Sequence, residues 1–187
     1  IQNVFLLIAS YVFYACWDWR FLALIIFTTL STFFTAKLEA RGQMRLWTGI
    51  NIVVNLAILF VFKYFNFFAE SFAQMMSAVG WEVDAVTLNV VLPVGISFYT
   101  FQMIAYMADL YNGKADRVKD PLLFALFVMF FPQLVAGPIV KYSEISAQLE
   151  KPDVSWDNIR CGTGRFIAGL GKKVLIADRA GFIASSL

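Results

Sequence analysis

Polar and helix-breaking residues that could do chemistry are concentrated in one otherwise apolar stretch, Leu92 to Pro138. Its first half contains hydroxyl, amide and carboxyl groups at roughly helical spacing: Ser97, Tyr99, Gln102, Tyr106 and Asp109. Its second half contains helix breakers around an amide: Pro132, Gln133, Gly137 and Pro138. Such groups are costly in lipid, so they line a cavity or a protein interface. The pattern favours the polar wall of a substrate tunnel, or side chains that only satisfy neighbouring helices beside a structural kink.

Other chemical motifs are few. The 187 residues contain no histidine, which removes the commonest general base at neutral pH. Lys172 and Lys173 are adjacent and could contact the phosphates of an acyl donor or of lipid, or act as an interfacial anchor. The two cysteines, Cys16 and Cys161, are interpreted as small apolar residues, with no metal site or disulfide framework. No phosphate loop, nucleotide fingerprint or serine-nucleophile motif is present.

The composition is that of an integral membrane chain. Hydrophobic residues make up 60% of the sequence and charged residues 15%, against about 25% charged in soluble domains. The net charge of +2 predicts no bulk attraction to nucleic acid. We therefore expect membrane lipid to be the main surrounding of the chain.

The apolar runs predict an all-α, polytopic membrane protein. Four runs are read as spans: Val4–Trp17, Phe21–Ala36, Leu46–Phe68 and Leu88–Tyr111. Pro93 and Gly95 are placed in the first turns of the fourth span, and Asn112-Gly113 at its end. The fifth segment, Leu122–Val140, contains two prolines, so a helix ending near Phe131 with an irregular or re-entrant continuation is predicted.

The polar segments predict a topology. The loops Lys37–Arg45 and Lys114–Asp120 each hold three basic residues, whereas residues 69–86 hold none. The positive-inside rule places the two basic loops in the cytoplasm and residues 69–86 outside. Within the latter, Ser71–Trp81 is amphipathic and is read as a short surface helix. Lys63 either snorkels to the membrane surface or has a buried functional role.

The last segment carries six charges among apolar residues, from Ile159 to Leu187. That composition excludes a plain lipid-facing span and predicts an interfacial helix or one packed against protein. Ser155 and Asn158 are placed to cap its beginning.

Several sequence blocks together resemble the membrane-bound O-acyltransferase (MBOAT) family. They are LLIASYVFYACWDWRFL, GINIVVNLAILFVFKYFNFF, LPVGISFYTFQMIAYMADLYNG, FFPQLVAGPI and RFIAGLGKKVLIAD, in that order. The third and fourth are the specific ones. The branch most similar to this chain contains the membrane subunit of bacterial alginate O-acetylation. Some relatives have histidine where this chain has Gln133, which argues against proton transfer at that position.

The resemblance implies that residues 1–187 form the N-terminal part of one MBOAT transmembrane domain, in the bacterial inner membrane. It implies acyl transfer from a cytoplasmic thioester, acetyl-CoA or a similar donor, with no bound cofactor. The acyl group would pass to extracytoplasmic acetyltransferase partner proteins and then to an exopolysaccharide. The family's catalytic histidine is expected beyond Leu187, so we expect this chain alone to be inactive and to hold no catalytic residue.

Two other classes of protein remain open on the sequence. A transporter or channel also uses broken helices and buried polar groups, but it predicts internal repeats, and none is evident. A scaffold subunit of an exopolysaccharide export complex would only anchor its partners. A histidine-containing apolar segment downstream of these residues would distinguish an acyltransferase from both.

Overall fold

The computed structural model describes residues 2–39, 42–81, 92–134, 137–152 and 154–185. The chain forms two compact units, Ile1–Glu150 and Lys151–Leu187. The described residues are helical apart from turns and short connections, and they contain no strand. The predicted all-α class is therefore confirmed for this part of the chain.

Eight helices belong to the described part of the first unit. Their bounds are α1 Gln2–Ala15, α2 Trp19–Glu39, α3 Met44–Leu59, α4 Phe65–Ala78, α5 Ile96–Tyr111, α6 Pro121–Met129, α7 Phe131–Leu134 and α8 Tyr142–Glu150. A π-helical turn, Phe60–Tyr64, joins α3 to α4. The second unit contains α9 Trp156–Lys172, a π turn Lys173–Ala177 and α10 Asp178–Ser185.

Among the described residues, two helices have the length and composition needed to cross a membrane: Trp19–Leu38 and the continuous helix Met44–Ala78. Few residues of the second are buried within the chain, unlike the core helix of a soluble protein. Large exposed apolar side chains cover it, among them Val53, Phe67 and Phe72. Contiguous apolar surface of this kind requires lipid or further protein around it.

Two predictions about helix bounds are wrong. The third span does not end at Phe68 before a separate surface helix, because Ser71–Ala78 continues the helix from Met44. Pro93 and Gly95 do not lie in the first turns of the fourth span, because the helix begins at Ile96 after a left-handed Gly95. The predicted start of that span at Leu88 lies outside the described residues.

Helix α5 occupies the centre of the first unit. It packs against α2, α3 and α6, and most of its side chains are buried. Asn112 and Gly113 end it as predicted, with Gly113 at φ +66°. Charged residues are nearly absent from this core, so packing and a few polar contacts hold it together.

A buried polar cluster joins three of these helices. Asn51 Nδ2 donates to Thr32 Oγ1 at 3.1 Å, and Thr32 Oγ1 lies 3.3 Å from Met103 Sδ. Asn55 Nδ2 donates to the Asn51 carbonyl at 3.0 Å. Hydrogen bonds of this kind hold helices together where water does not compete. The cluster therefore sets the register of α2, α3 and α5.

In the second unit, Ser155 caps α9 as predicted. Its hydroxyl accepts a hydrogen bond from Asn158 N at 3.2 Å, and its backbone is extended. The helix continues through the π turn to Ser185, and its side chains are exposed along nearly the whole length.

Candidate functional site

The polypeptide leaves helical geometry between α6 and α7. Phe130 has φ −56° and ψ +105°, an extended conformation, and four helical residues follow it. The predicted break near Phe131 is confirmed. Because Pro132 has no amide hydrogen and Phe130 turns the chain aside, carbonyl groups in the last turn of α6 lose their ordinary helical partners.

One of these carbonyls, that of Phe127, accepts hydrogen bonds from two glutamine side chains. Gln102 Nε2 donates to it at 3.2 Å and Gln133 Nε2 at 2.7 Å. Gln102 comes from α5, whereas Gln133 lies in α7 beyond the break. The two polar motifs found in the sequence therefore meet at a single backbone atom, where they satisfy a group that lipid could not.

The turn before α5 packs directly on α7. Gly95 has φ +74°, and a Cβ built there would lie 2.5 Å from the carbonyl oxygen of Leu134. Only glycine permits both the left-handed backbone and this approach. We call the arrangement of Gly95, Gln102, Phe127, Gln133 and Leu134 the helix-break junction.

Helix α1 completes the junction from one side. The Tyr14 hydroxyl donates to the carbonyl of Val94 at 3.1 Å, beside the Gly95 turn. Ser10 Oγ accepts from Phe131 N at 3.4 Å and donates to the Leu6 carbonyl at 2.8 Å. The backbone groups released by the turn and by the break are thus bonded to side chains from α1.

Tyr99 differs from the polar residues around it. Its side chain is fully buried, yet its hydroxyl has no hydrogen-bond partner among the described residues. An unsatisfied buried hydroxyl costs about 1–3 kcal/mol. Because the buried Tyr99 hydroxyl does not stabilise the described part of the chain, its presence requires an explanation other than folding.

Two further predicted residues lie toward the other end of α5. The Tyr106 hydroxyl accepts from Val118 N at 3.1 Å, and its ring packs on Phe124 with centroids 4.9 Å apart. Asp109 is buried in the following turn. Tyr99, Gln102, Tyr106 and Asp109 therefore share the buried side of α5. Half-buried Ser97 contacts Lys63 instead.

An open cleft of about 1100 Å³ lies between residues 114–120 and α8. Its lining is polar and carries both signs of charge: Lys114, Asp116, Arg117, Lys119, Asp120, Tyr142, Ser143, Ser146 and Glu150. Burial, together with the negative charges of Glu150 and Asp120, raises the pKa of the Tyr142 phenol. Tyr142 therefore stays protonated at neutral pH and is available as a hydrogen-bond donor.

The remaining predicted site residues do not join the junction. Gly137 and Pro138 are exposed, and a Cβ at Gly137 would meet no atom within 4 Å. Pro132 is exposed beside the break. Lys172 and Lys173 lie in the second unit and are exposed, with Lys173 opening its π turn. Their assignment to a tunnel wall and to phosphate contact stays a prediction.

If the full-length gene product transfers acyl groups, as the resemblance implies, Gly137→Leu should lower that transfer strongly, with membrane insertion near normal. Its φ of +130° is a conformation that leucine rarely adopts, and leucine also adds bulk beside the break. Gln133→Ala should have a milder effect, because Gln102 remains bonded to the Phe127 carbonyl.

Gly137→Ala is the control, since it imposes the backbone strain without the bulk. Equal losses with alanine and leucine would assign the effect to the backbone. A loss with leucine alone would assign it to the tunnel wall, and wild-type transfer in both variants would show that the bend is remote from the acyl path.

Several residues of the junction were missed by sequence reasoning. Ser10 and Tyr14 belong to an apolar run with ordinary interfacial aromatics, so no local signal marks their long-range bonds. Gly95 was placed near the start of the fourth span, but its close approach to Leu134 was not predicted. Among the described residues, no group of three His, Cys, Asp or Glu side chains is placed to hold a metal ion.

Comparison with known proteins gives a family match over part of the chain. Residues 119–186, which include the break between α6 and α7, match the model of the membrane-bound O-acyltransferase family. This match covers less than half of the chain, which is similar to the family over these residues. No solved structure matches it.

Individual relatives extend the similarity over the whole chain. It is 38% identical over 188 residues to a probable alginate O-acetylase AlgI of Pseudomonas syringae pv. tomato, covering 98% of this chain and 36% of the relative. It is 36% identical to the protein of that name from Pseudomonas aeruginosa, covering 98% of the chain and 36% of the relative. It is 34% identical to a peptidoglycan O-acetyltransferase of Helicobacter pylori, covering 97% of the chain and 40% of the relative. The chain thus spans well under half the length of these relatives.

Proposed function

We propose that the full-length gene product is a membrane O-acyltransferase. It takes an acyl group, acetyl in our proposal, from a cytoplasmic thioester such as acetyl-CoA and delivers it across the bacterial inner membrane. The final acceptor is a hydroxyl of a secreted polysaccharide, reached through an extracytoplasmic partner protein. The observation that carries the proposal is the helix-break junction, which lies partly in the family match and unites both polar motifs.

The helix-break junction supports transfer through the membrane because it contains non-helical backbone whose freed N–H and C=O groups are hydrogen-bonded within the protein. Broken helices are tolerated at membrane depth only where protein or water replaces the lost hydrogen bonds. Here Gln102, Gln133, Ser10 and Tyr14 supply them. We assign to these residues the positioning of a tunnel wall, with no proton transfer at Gln133.

The donor side is proposed to be the cleft between residues 114–120 and α8. Separately, Lys172 and Lys173 are proposed to contact phosphate of the acyl donor or of lipid. The cleft lies beside a loop that the positive-inside rule places in the cytoplasm. Its ammonium, guanidinium and hydroxyl groups suit the phosphate and amide groups of an acyl thioester. The histidine that removes the acceptor proton is assigned to a segment beyond residues 1–187.

A labelling experiment tests the multi-pass topology that this function requires. Single cysteines at Gln43, Ser77 and Lys114 would be treated with an impermeant thiol reagent in intact cells. Cys16 and Cys161 must first be replaced, since both are exposed. We expect labelling at Ser77 and protection at Gln43 and Lys114, because only the latter two lie in basic loops. Labelling at Gln43 with protection at Ser77 would reverse the topology.

Transfer itself is tested in proteoliposomes with radiolabelled acetyl-CoA and the purified partner protein. The full-length gene product should move label from the thioester to a hydroxyl ester, whereas residues 1–187 alone should not. Movement of an unreacted solute by the full-length gene product, with no ester formed, would favour the transporter alternative. If the full-length gene product shows neither activity, a scaffold role remains. Ester formation by residues 1–187 alone would show that the reaction needs no histidine from a further segment.

A further inference from the structure

The long helix Met44–Ala78 contains one irregularity, the π turn Phe60–Tyr64, and a charged residue lies inside it. Lys63 is the only charged residue between Leu46 and Phe68. π turns occur mostly as single bulges inside α-helices and are frequent at functional sites. The lysine therefore occupies a place where the backbone is already distorted.

The contacts of Lys63 leave its charge uncompensated. Its Nζ donates to Ser97 Oγ at 3.3 Å and lies 5.3 Å from the centre of the Tyr64 ring. Both partners are neutral. In the part of the chain that the structure describes, Lys63 makes no ion pair with a carboxylate. The ammonium group has three donors, and one suffices for Ser97.

The position of Lys63 along the helix indicates its depth in the membrane. At roughly 1.5 Å per residue, it lies about 28 Å from Met44, close to the thickness of the hydrocarbon core of about 30 Å. Met44 lies at the end of the basic loop Lys37–Arg45, which the positive-inside rule places in the cytoplasm, so Lys63 reaches the opposite membrane boundary. Ser97 meets it there from the first turn of α5.

We propose that Lys63 and Ser97 form a binding site for an anionic oxygen group, a phosphate or a carboxylate, at the membrane boundary opposite the basic loops. The ammonium supplies charge and free donors. The Ser97 hydroxyl accepts from Lys63, so its own hydrogen can be donated to the anion. The shared chemistry fits a lipid headgroup phosphate and also a soluble anion that approaches from outside.

The test uses the full-length gene product in a lipid-free maltoside detergent. Thermal stability is followed while inorganic phosphate, or short-chain phosphatidylglycerol, is titrated, and a Kd is obtained from each series. We expect the wild type to bind. Lys63→Gln should weaken binding about 10-fold, since a charge-assisted hydrogen bond is lost. Lys63→Arg should restore binding, and Ser97→Ala should weaken it by a smaller factor.

Lys37→Gln is the matched control, because Lys37 is an exposed lysine whose ammonium lies 4.8 Å from the centre of the Phe33 ring. It should leave the Kd unchanged. A response to phosphate indicates a soluble anion, and a response to phosphatidylglycerol alone indicates a headgroup. The proposal is overturned if the wild type responds to neither, if Lys63→Gln binds normally, or if Lys37→Gln loses as much. Should Lys63→Gln fail to fold, unchanged binding in Ser97→Ala would overturn it.

Discussion

Gly95→Ala should destabilise the protein by about 3 kcal/mol and abolish most of the acyl transfer that we propose for the full-length gene product. The left-handed conformation at φ +74° costs an alanine about 1 kcal/mol. The added Cβ would also lie 2.5 Å from the Leu134 carbonyl oxygen, so α7 must move away from α5, which adds about 2 kcal/mol. That movement separates the two halves of the helix-break junction.

Gly113→Ala provides the control for this prediction. Gly113 has a similar positive φ of +66°, but a Cβ there meets nothing within 4 Å. It should therefore show the backbone cost of about 1 kcal/mol without the steric cost. Thermal unfolding in detergent and acetyl transfer in proteoliposomes measure both effects. Equal loss of stability in the two variants would show that the contact with Leu134 is unimportant.

Tyr99→Phe should lower acyl transfer about 10-fold while leaving the stability unchanged or higher by about 1 kcal/mol. The hydroxyl is buried and has no partner in the described chain, so its removal takes nothing from the fold. A functional role would explain the Tyr99 hydroxyl if it donates a hydrogen bond to a group present only in the full-length gene product during the reaction. Loss of that hydrogen bond then appears in the rate rather than in the stability.

Tyr14→Phe is the matched variant, because the Tyr14 hydroxyl is bonded to the Val94 carbonyl at 3.1 Å. This variant should lose stability by about 1 kcal/mol, the opposite direction from Tyr99→Phe. Thermal unfolding and initial transfer rates of the two proteins make the comparison. Wild-type transfer in Tyr99→Phe would contradict a functional role, and a marked loss of stability would reveal a partner for its hydroxyl.

Much of the local structure was predictable because its causes are local. Ser155 caps α9 through an amide three residues away, Gly113 follows the end of α5, and Pro132 lies beside the break after α6. A short helix over Ser71–Trp81 was predicted, but its continuity with the third span was not. The polar residues from Glu70 onward indicated the end of the span, but polar residues are equally compatible with a helix that continues beyond lipid.

By itself, the sequence determined that the chain is helical and apolar enough for membrane, and that its polar and helix-breaking residues are concentrated in two motifs. It also determined the resemblance to the acyltransferase family. Only the tertiary structure decided that Gln102 and Gln133 bond one carbonyl, that Gly95 must approach Leu134, and that Lys63 meets Ser97. The reason is physical: periodicity and caps depend on neighbours along the chain, whereas the partner of a freed carbonyl or an unpaired ammonium depends on which helices pack together.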